Sequence, residues 1–152
     1  MLSSTRVELL VVTQRRANIF GLGLIGGSLG LALSSRGWHV TGCDSVGDIE
    51  REALSLGVIH QIGVDKDSAI TFVATPVSSI AEQVVRALAE TTGLVTDVGG
   101  VKAHLVGQIN DPRFIGGHPM AGSELIGLAG ADAKLFESAV WVLTPSVGIS
   151  DS

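Results

Sequence analysis

The sequence has one cysteine, Cys43, little charge and no run of basic residues. A lone cysteine excludes an intramolecular disulfide framework, no Cys/His spacing resembles a zinc site, and a reducing, cytoplasmic setting fits best. Lys and Arg number 10 against 15 Asp and Glu, a formal charge of -5 with the acid spread along the chain, which disfavours nucleic acid or an anionic membrane as partner. Long hydrophobic runs are also lacking. Residues 17–33 carry only Asn18 and Ser28 as polar side chains and follow Arg15-Arg16, but they number 17, five of them glycine, where a span needs about 20 apolar residues. There is no repeat, low-complexity tract or interdomain linker. What the chain does have is 45% hydrophobic residues against 16% charged, enough apolar surface to fold, and at 152 residues it is one domain rather than two. It also has 20 glycines and a mean hydropathy of +0.45. The first points to tight backbone turns, the second to a surface meant to be covered.

Short β-rich apolar runs alternate with helix-length segments, the rhythm of βαβ units. The fold class expected is α/β, a Rossmann-like doubly wound, mainly parallel sheet with helices on both faces. Strands are expected at 17–21, 38–43, 70–74, 94–97, 113–116 and 139–143, and helices at 25–36, 48–56, 77–90, 101–109 and 124–136. Gly57 suits the end of the second helix and Pro76 the first turn of the third. Residues 1–16 read as an N-terminal extension or edge strand and 17–152 as the dinucleotide-binding domain.

The run Ala17-Asn18-Ile19-Phe20-Gly21-Leu22-Gly23-Leu24-Ile25-Gly26-Gly27 sets G-x-G-x-x-G between a strand and a helix. Gly21 permits the tight turn, Gly23 lets a pyrophosphate reach the backbone, and Gly26 lets helix and strand pack closely. With Leu24 and Ile25 they make the expected cofactor loop, whose helix N-terminus offers N–H groups to phosphates. A second strand, Trp38-His39-Val40-Thr41-Gly42-Cys43, ends in Asp44, a carboxylate placed to accept bonds from the adenosine ribose and to repel a 2′-phosphate. No Arg follows until Arg51, so the cofactor expected is NAD rather than NADP. The plainer alternative for Asp44 is a turn or capping residue. Cys43 reads as a small core residue.

Further on, Arg113-Phe114-Ile115-Gly116-Gly117-His118-Pro119-Met120-Ala121-Gly122-Ser123-Glu124 follows an expected strand. Pro119 biases His118 towards extended backbone. Flanking glycines allow close approach of a flat ring, and an imidazole with ordinary pKa ~6.5 is the natural base for a hydroxyl proton while hydride leaves the same carbon. His39, His60 and His104 have no such setting. Asp97, in Thr96-Asp97-Val98-Gly99-Gly100-Val101-Lys102, reads on spacing as an N-terminal helix acid and Lys102 as a solvated side chain. No metal site is expected.

Taken together these motifs closely resemble the prephenate and arogenate dehydrogenases of tyrosine biosynthesis, within the broader class resembling 6-phosphogluconate dehydrogenase. The matching stretches are GLGLIGGSLGLAL (21–33), VTGCD (40–44), ATPVSSIAE (74–82), TDVGGVK (96–102), RFIGGHPMAGSE (113–124) and LFESAVWVLTP (135–145). The resemblance implies NAD-dependent oxidative decarboxylation of prephenate or arogenate. His118 matches the catalytic histidine that takes the ring hydroxyl proton, Ser123 and Glu124 match positions beside the substrate pocket, and Thr75 and Pro76 match the turn along the cofactor. Gly100 stands where the family commonly has a serine that contacts substrate and nicotinamide, a lost bond worth roughly 1.5 to 3 kcal/mol. The resemblance also implies a further, all-helical domain that forms a homodimer and supplies cations for the substrate carboxylates, which these residues do not include. The chain alone is therefore expected to bind NAD, to turn over poorly, and to expose an apolar patch near its end. Two alternatives stay open: another NAD-dependent hydroxyacid or imino-acid oxidoreductase of the same fold, and a non-catalytic nucleotide-binding fragment.

Overall fold

The structure, a computed structural model, describes residues 14–99, 108–121 and 125–145. Strands β1 (Arg16–Phe20), β2 (His39–Cys43), β3 (Gln61–Ile62), β4 (Ile70–Val73), β5 (Leu94–Asp97), β6 (Phe114–Pro119) and β7 (Trp141–Pro145) form a single seven-stranded sheet in the order β3-β2-β1-β4-β5-β6-β7. All pairings are parallel except β6 with β7. The α/β doubly wound expectation is met. Among the described residues three helices link the strands: α1 (Leu24–Ser35), α2 (Gly47–Ser55) and α3 (Ile80–Glu90), the last entered through a 3-10 turn at Val77–Ser79.

Each face of the sheet has its own core, as expected where strands are covered on both sides. Phe20, Val73, Ile80, Val84, Ala87, Val95, Ile109 and Phe114 pack on the α3 side. Ile19, Leu22, Leu29, Val40, Ala53, Val58, Ile59 and Leu128 pack on the side of α1 and α2. The alternation of Ile19 and Phe20 between these clusters is the period-2 geometry of a strand. From β1 the chain runs outward through β2 and β3, then crosses back to β4 on the other side of β1. That reversal places a crevice at the carboxyl ends of β1 and β4, where open α/β sheets hold ligands.

The expected helix at 124–136 is not found. Among its described residues, 125–136, there is only a 3-10 turn, Leu128–Gly130. Gly127 takes a left-handed φ of +72°, which stops helix propagation, and the segment is moulded onto α1 instead. Leu128 lies against Gly27, and the Asp132 N–H donates to Ser28 Oγ at 3.0 Å. The short strand β3 was not anticipated. β6 runs on to Pro119, so His118 belongs to the strand and not to the loop beyond it. β7 lies two residues later than expected. Of the expected helix at 101–109 all but the last two residues fall outside the described set. Gly57, with φ +73°, follows the cap Leu56 of α2, as expected; Pro76 caps the 3-10 turn ahead of α3.

Candidate functional site

A cleft of about 620 Å³ opens at the β1/β4 crevice and is lined by Gly21, Gly23, Leu24, Ile25, Asp44, Thr75 and Pro76, among others. Seven of the expected cofactor residues are thus brought to one cavity. Their glycines differ in what they do. Gly21 has φ +92°, and a Cβ there would stand 2.6 Å from the Ala74 carbonyl oxygen, so the turn after β1 and the turn after β4 touch. Gly26 does not line the cleft: a Cβ there would overlap the Gly21 carbonyl oxygen and press on Ile19 Cγ2, which makes it a packing residue that shapes the loop. Gly23 is the reverse case. Nothing lies within 4 Å of where its Cβ would be, and it caps α1 without any side-chain hydrogen bond to the first-turn N–H groups. Glycine at this position is not demanded by the protein's own packing. It leaves bare backbone at the positive end of a helix dipole.

Asp44 stands just past β2. Its Oδ2 accepts the Leu22 N–H at 2.8 Å and its Oδ1 the Val46 N–H at 3.0 Å, while its own N–H donates to Glu50 Oε1 at 3.0 Å. The turn role and the ribose role are compatible, because each carboxylate oxygen accepts more than one bond. Across the cleft, Thr75 Oγ1 is buried and has no partner among the described residues. A buried hydroxyl without a partner is costly, and a ligand's polar group would satisfy it.

Three residues of the far wall were missed by sequence reasoning: Ser79, Gln83 and Arg86. Their spacing of four and three puts them on one side of the turn leading into α3 and of the helix itself, a polar stripe that was legible but not assigned. Arg86 is held by Glu90 Oε2 at 2.9 Å and lies 4.9 Å from the Phe20 ring centroid. Counting cations only near Asp44 in sequence overlooked it. It also faces Cys43, whose thiol burial pushes up in pKa, with the guanidinium pulling the other way. Cys43 is therefore a protonated wall residue, in keeping with the core reading.

His118 is on β6, two strands beyond β4 on the same side of β1, and is not among the residues lining the 620 Å³ cleft. It is half-buried, and its Nδ1 is buried without a partner among the described residues. Gly100, Ser123 and Glu124 lie outside the described residues, as do Lys102 and His104. Asp97 is fully buried at the end of β5, and its carboxylate accepts backbone N–H groups from Gly99 and Gly117; the helix whose first turn it was expected to serve lies outside the described residues. Among the described residues no group of three or more His, Cys, Asp or Glu could hold a metal ion, and no helix is long and apolar enough to cross a membrane.

Comparison with known proteins agrees with this geometry. The family profile for the nucleotide-binding domain of prephenate dehydrogenase matches residues 29–151, beginning just after the glycine loop. The prephenate dehydrogenase of Bacillus subtilis is 39% identical over 140 residues, covering 82% of this chain and 38% of that protein. Among solved structures, Synechocystis arogenate dehydrogenase superposes with a TM-score of 0.80 at 31% identity, covering 90% of this chain and 52% of that one. Prephenate dehydrogenase from A. aeolicus, in complex with hydroxyphenyl propionate and NAD+, gives 0.81 at 27% identity, covering 91% and 53%. The chain spans well under half the length of its curated relative and about half that of the solved ones. A parallel sheet with its crevice at β1/β4, a bare glycine at the helix mouth and this match over most of the length lead to one assignment: the chain belongs to the prephenate dehydrogenase nucleotide-binding domain family.

Proposed function

We propose that the chain is the NAD-binding, histidine-bearing part of a prephenate or arogenate dehydrogenase, the enzyme that oxidatively decarboxylates a cyclohexadienol to a phenol. The observation that carries this reading is the pairing of Gly23, open on the cleft side with an uncapped helix N-terminus behind it, with the unsatisfied hydroxyl of Thr75 opposite. These residues fit a dinucleotide. Gly23, Leu24 and Ile25 would hold the pyrophosphate, Asp44 the ribose hydroxyls, and Thr75 and Pro76 would flank the cofactor on the β4 side. NAD would supply the hydride acceptor. Asp44 favours it over NADP, since a carboxylate beside the ribose repels a 2′-phosphate.

His118 is the residue proposed to take the ring hydroxyl proton. A general base in that role is worth about 10²- to 10⁴-fold in rate. Loss of the ring carboxylate as CO2 gives an aromatic product, which makes the step effectively irreversible. Homodimerisation through a helical domain and a cytoplasmic setting belong to the same proposal and rest on the family resemblance. The test is an assay with prephenate and with arogenate in the presence of NAD: formation of a 4-hydroxyphenyl product with release of CO2 is expected. Oxidation of a simple hydroxyacid instead, without CO2, would overturn the substrate assignment.

A further inference from the structure

Strands β5 and β6 pair only at Val95 with Phe114 and Thr96 with Ile115, and the ladder then stops. β6 nevertheless continues for four more residues, through His118 to Pro119. Its outer edge is held by β7, with His118 opposite Val142. On the inner edge, the N–H of Gly117 has no strand residue to meet, and Asp97 Oδ1 accepts it at 3.2 Å. The other oxygen, Oδ2, accepts the N–H of Gly99 at 2.9 Å. One fully buried carboxylate thus takes over where the ladder ends and binds two segments: the turn leaving β5 and the residue just before His118.

The fit around Gly117 leaves no slack. A Cβ there would stand 2.8 Å from the Asp97 carbonyl oxygen and 2.7 Å from Trp141 Nε1. The His118 ring, with Nδ1 unpartnered among the described residues, has no side-chain bond at that nitrogen to fix it. Its placement follows from the backbone that carries it. We propose that Asp97 is a positioning residue that locks the strand of His118 to the turn at Gly99, so that base and turn keep one geometry. This rests on the reading of His118 as the proton acceptor, but the two can fail separately.

The experiment is amide hydrogen exchange by NMR on the parent chain and Asp97→Asn. Asparagine keeps the size and one acceptor oxygen, but turns an amine towards one of the two N–H groups. Exchange at Gly99, Gly117 and His118 should rise about tenfold or more relative to core amides such as Val84 and Val95, with NAD affinity within about threefold of the parent. In the enzyme that turns over substrate, the same change should lower kcat about tenfold or more and leave KM for NAD within about threefold. Exchange that rises uniformly across the core, or not at all, would overturn the proposal. Should Asp97→Asn not fold, the parent decides alone: the Gly117 amide must exchange as slowly as core-strand amides such as Val95, which donates to the Arg113 carbonyl across the β5–β6 pairing, and exchange at the unprotected rate contradicts it. Local loosening together with unimpaired turnover in His118→Asn would sink only the catalytic reading of His118.

Discussion

The glycines of the cofactor loop separate fold from function one residue at a time. Gly26→Ala forces a methyl into the Gly21 carbonyl oxygen and should destabilise the chain by more than about 2 kcal/mol in a urea titration, the range of overpacked interiors. Gly23→Ala meets nothing in the protein and should change stability by less than about 1 kcal/mol, yet weaken NAD at least about tenfold, because only a bound pyrophosphate would meet the new methyl. Equal losses of stability in the two variants would contradict this division. Both glycines were legible in the sequence as one motif, but their division of labour was not, since spacing says nothing of which Cβ would strike protein. For His118 the expected outcome of His118→Asn is a fall in kcat of about 100-fold or more with NAD binding retained. Turnover within a few-fold of the parent would rule out a base role. Asp97 shows the limit of spacing most clearly. Its position suggested a helix acid, and nothing in its spacing showed that its carboxylate also reaches Gly117, 20 residues away and across a strand gap.

Among the elements, those whose pattern is local were read correctly. β1, β2, β4 and β5 are short buried strands, and α1 to α3 sit within a few residues of expectation apart from the 3-10 entry to α3. The 124–136 segment failed because its shape is imposed by a distant surface, the small-residue face of α1 at Gly27 and Ser28, and by Gly127 at positive φ. The Ser79, Gln83 and Arg86 stripe was visible as polar spacing, but the cleft it lines exists only once β4 lies beside β1. At the other end of α3, Arg113 donates to the Thr91 and Leu88 carbonyl oxygens at 2.6 and 2.7 Å and pairs with Asp111 at 3.0 Å. A cation there closes the exposed carbonyls of a helix C-terminus. Arg113→Ala should lower stability at neutral pH by about 1 to 2 kcal/mol, read from the urea midpoint. Hydrogen bonds from Arg113 hold the Asp111 carboxyl below its ordinary pKa of 3.8. A depressed acid stabilises the fold above its unfolded pKa and loses that contribution as pH falls through its folded one. The parent should therefore lose stability below about pH 4, and Asp111→Asn should show a shallower acid slope; an unchanged slope would mean the pair contributes nothing.

For the molecule as a whole, the glycines divide between close backbone approach, as at Gly21, Gly26, Gly30 and Gly117, and turns at positive φ, as at Gly57 and Gly127, and the high mean hydropathy has two causes. One is the pair of buried cores. The other is surface: Ile126 is 88% and Leu143 59% exposed, Val140 and Val142 are exposed beside it, and an apolar hollow of about 380 Å³ is lined by Ile70, Phe72, Leu94, Ile115, Trp141 and Leu143 among others. Exposed apolar residues expected near the end of the sequence are present in the described residues, and marginal solubility of the isolated chain, read from its saturation concentration, is the expected outcome. Ligand binding should offset this in part. NAD at 100 times its Kd adds about 2.7 kcal/mol to the folded state, which for a chain of this size raises Tm by roughly 5 to 10 °C. The most direct test of the central claim is calorimetric titration of NAD into the folded parent and into Gly23→Asp. Aspartate is a good helix cap, so the variant should fold, while its carboxylate would oppose the pyrophosphate. The account predicts saturable binding of one NAD by the parent and at least about a tenfold loss in the variant. No binding by folded parent, or the same affinity in both, would contradict it.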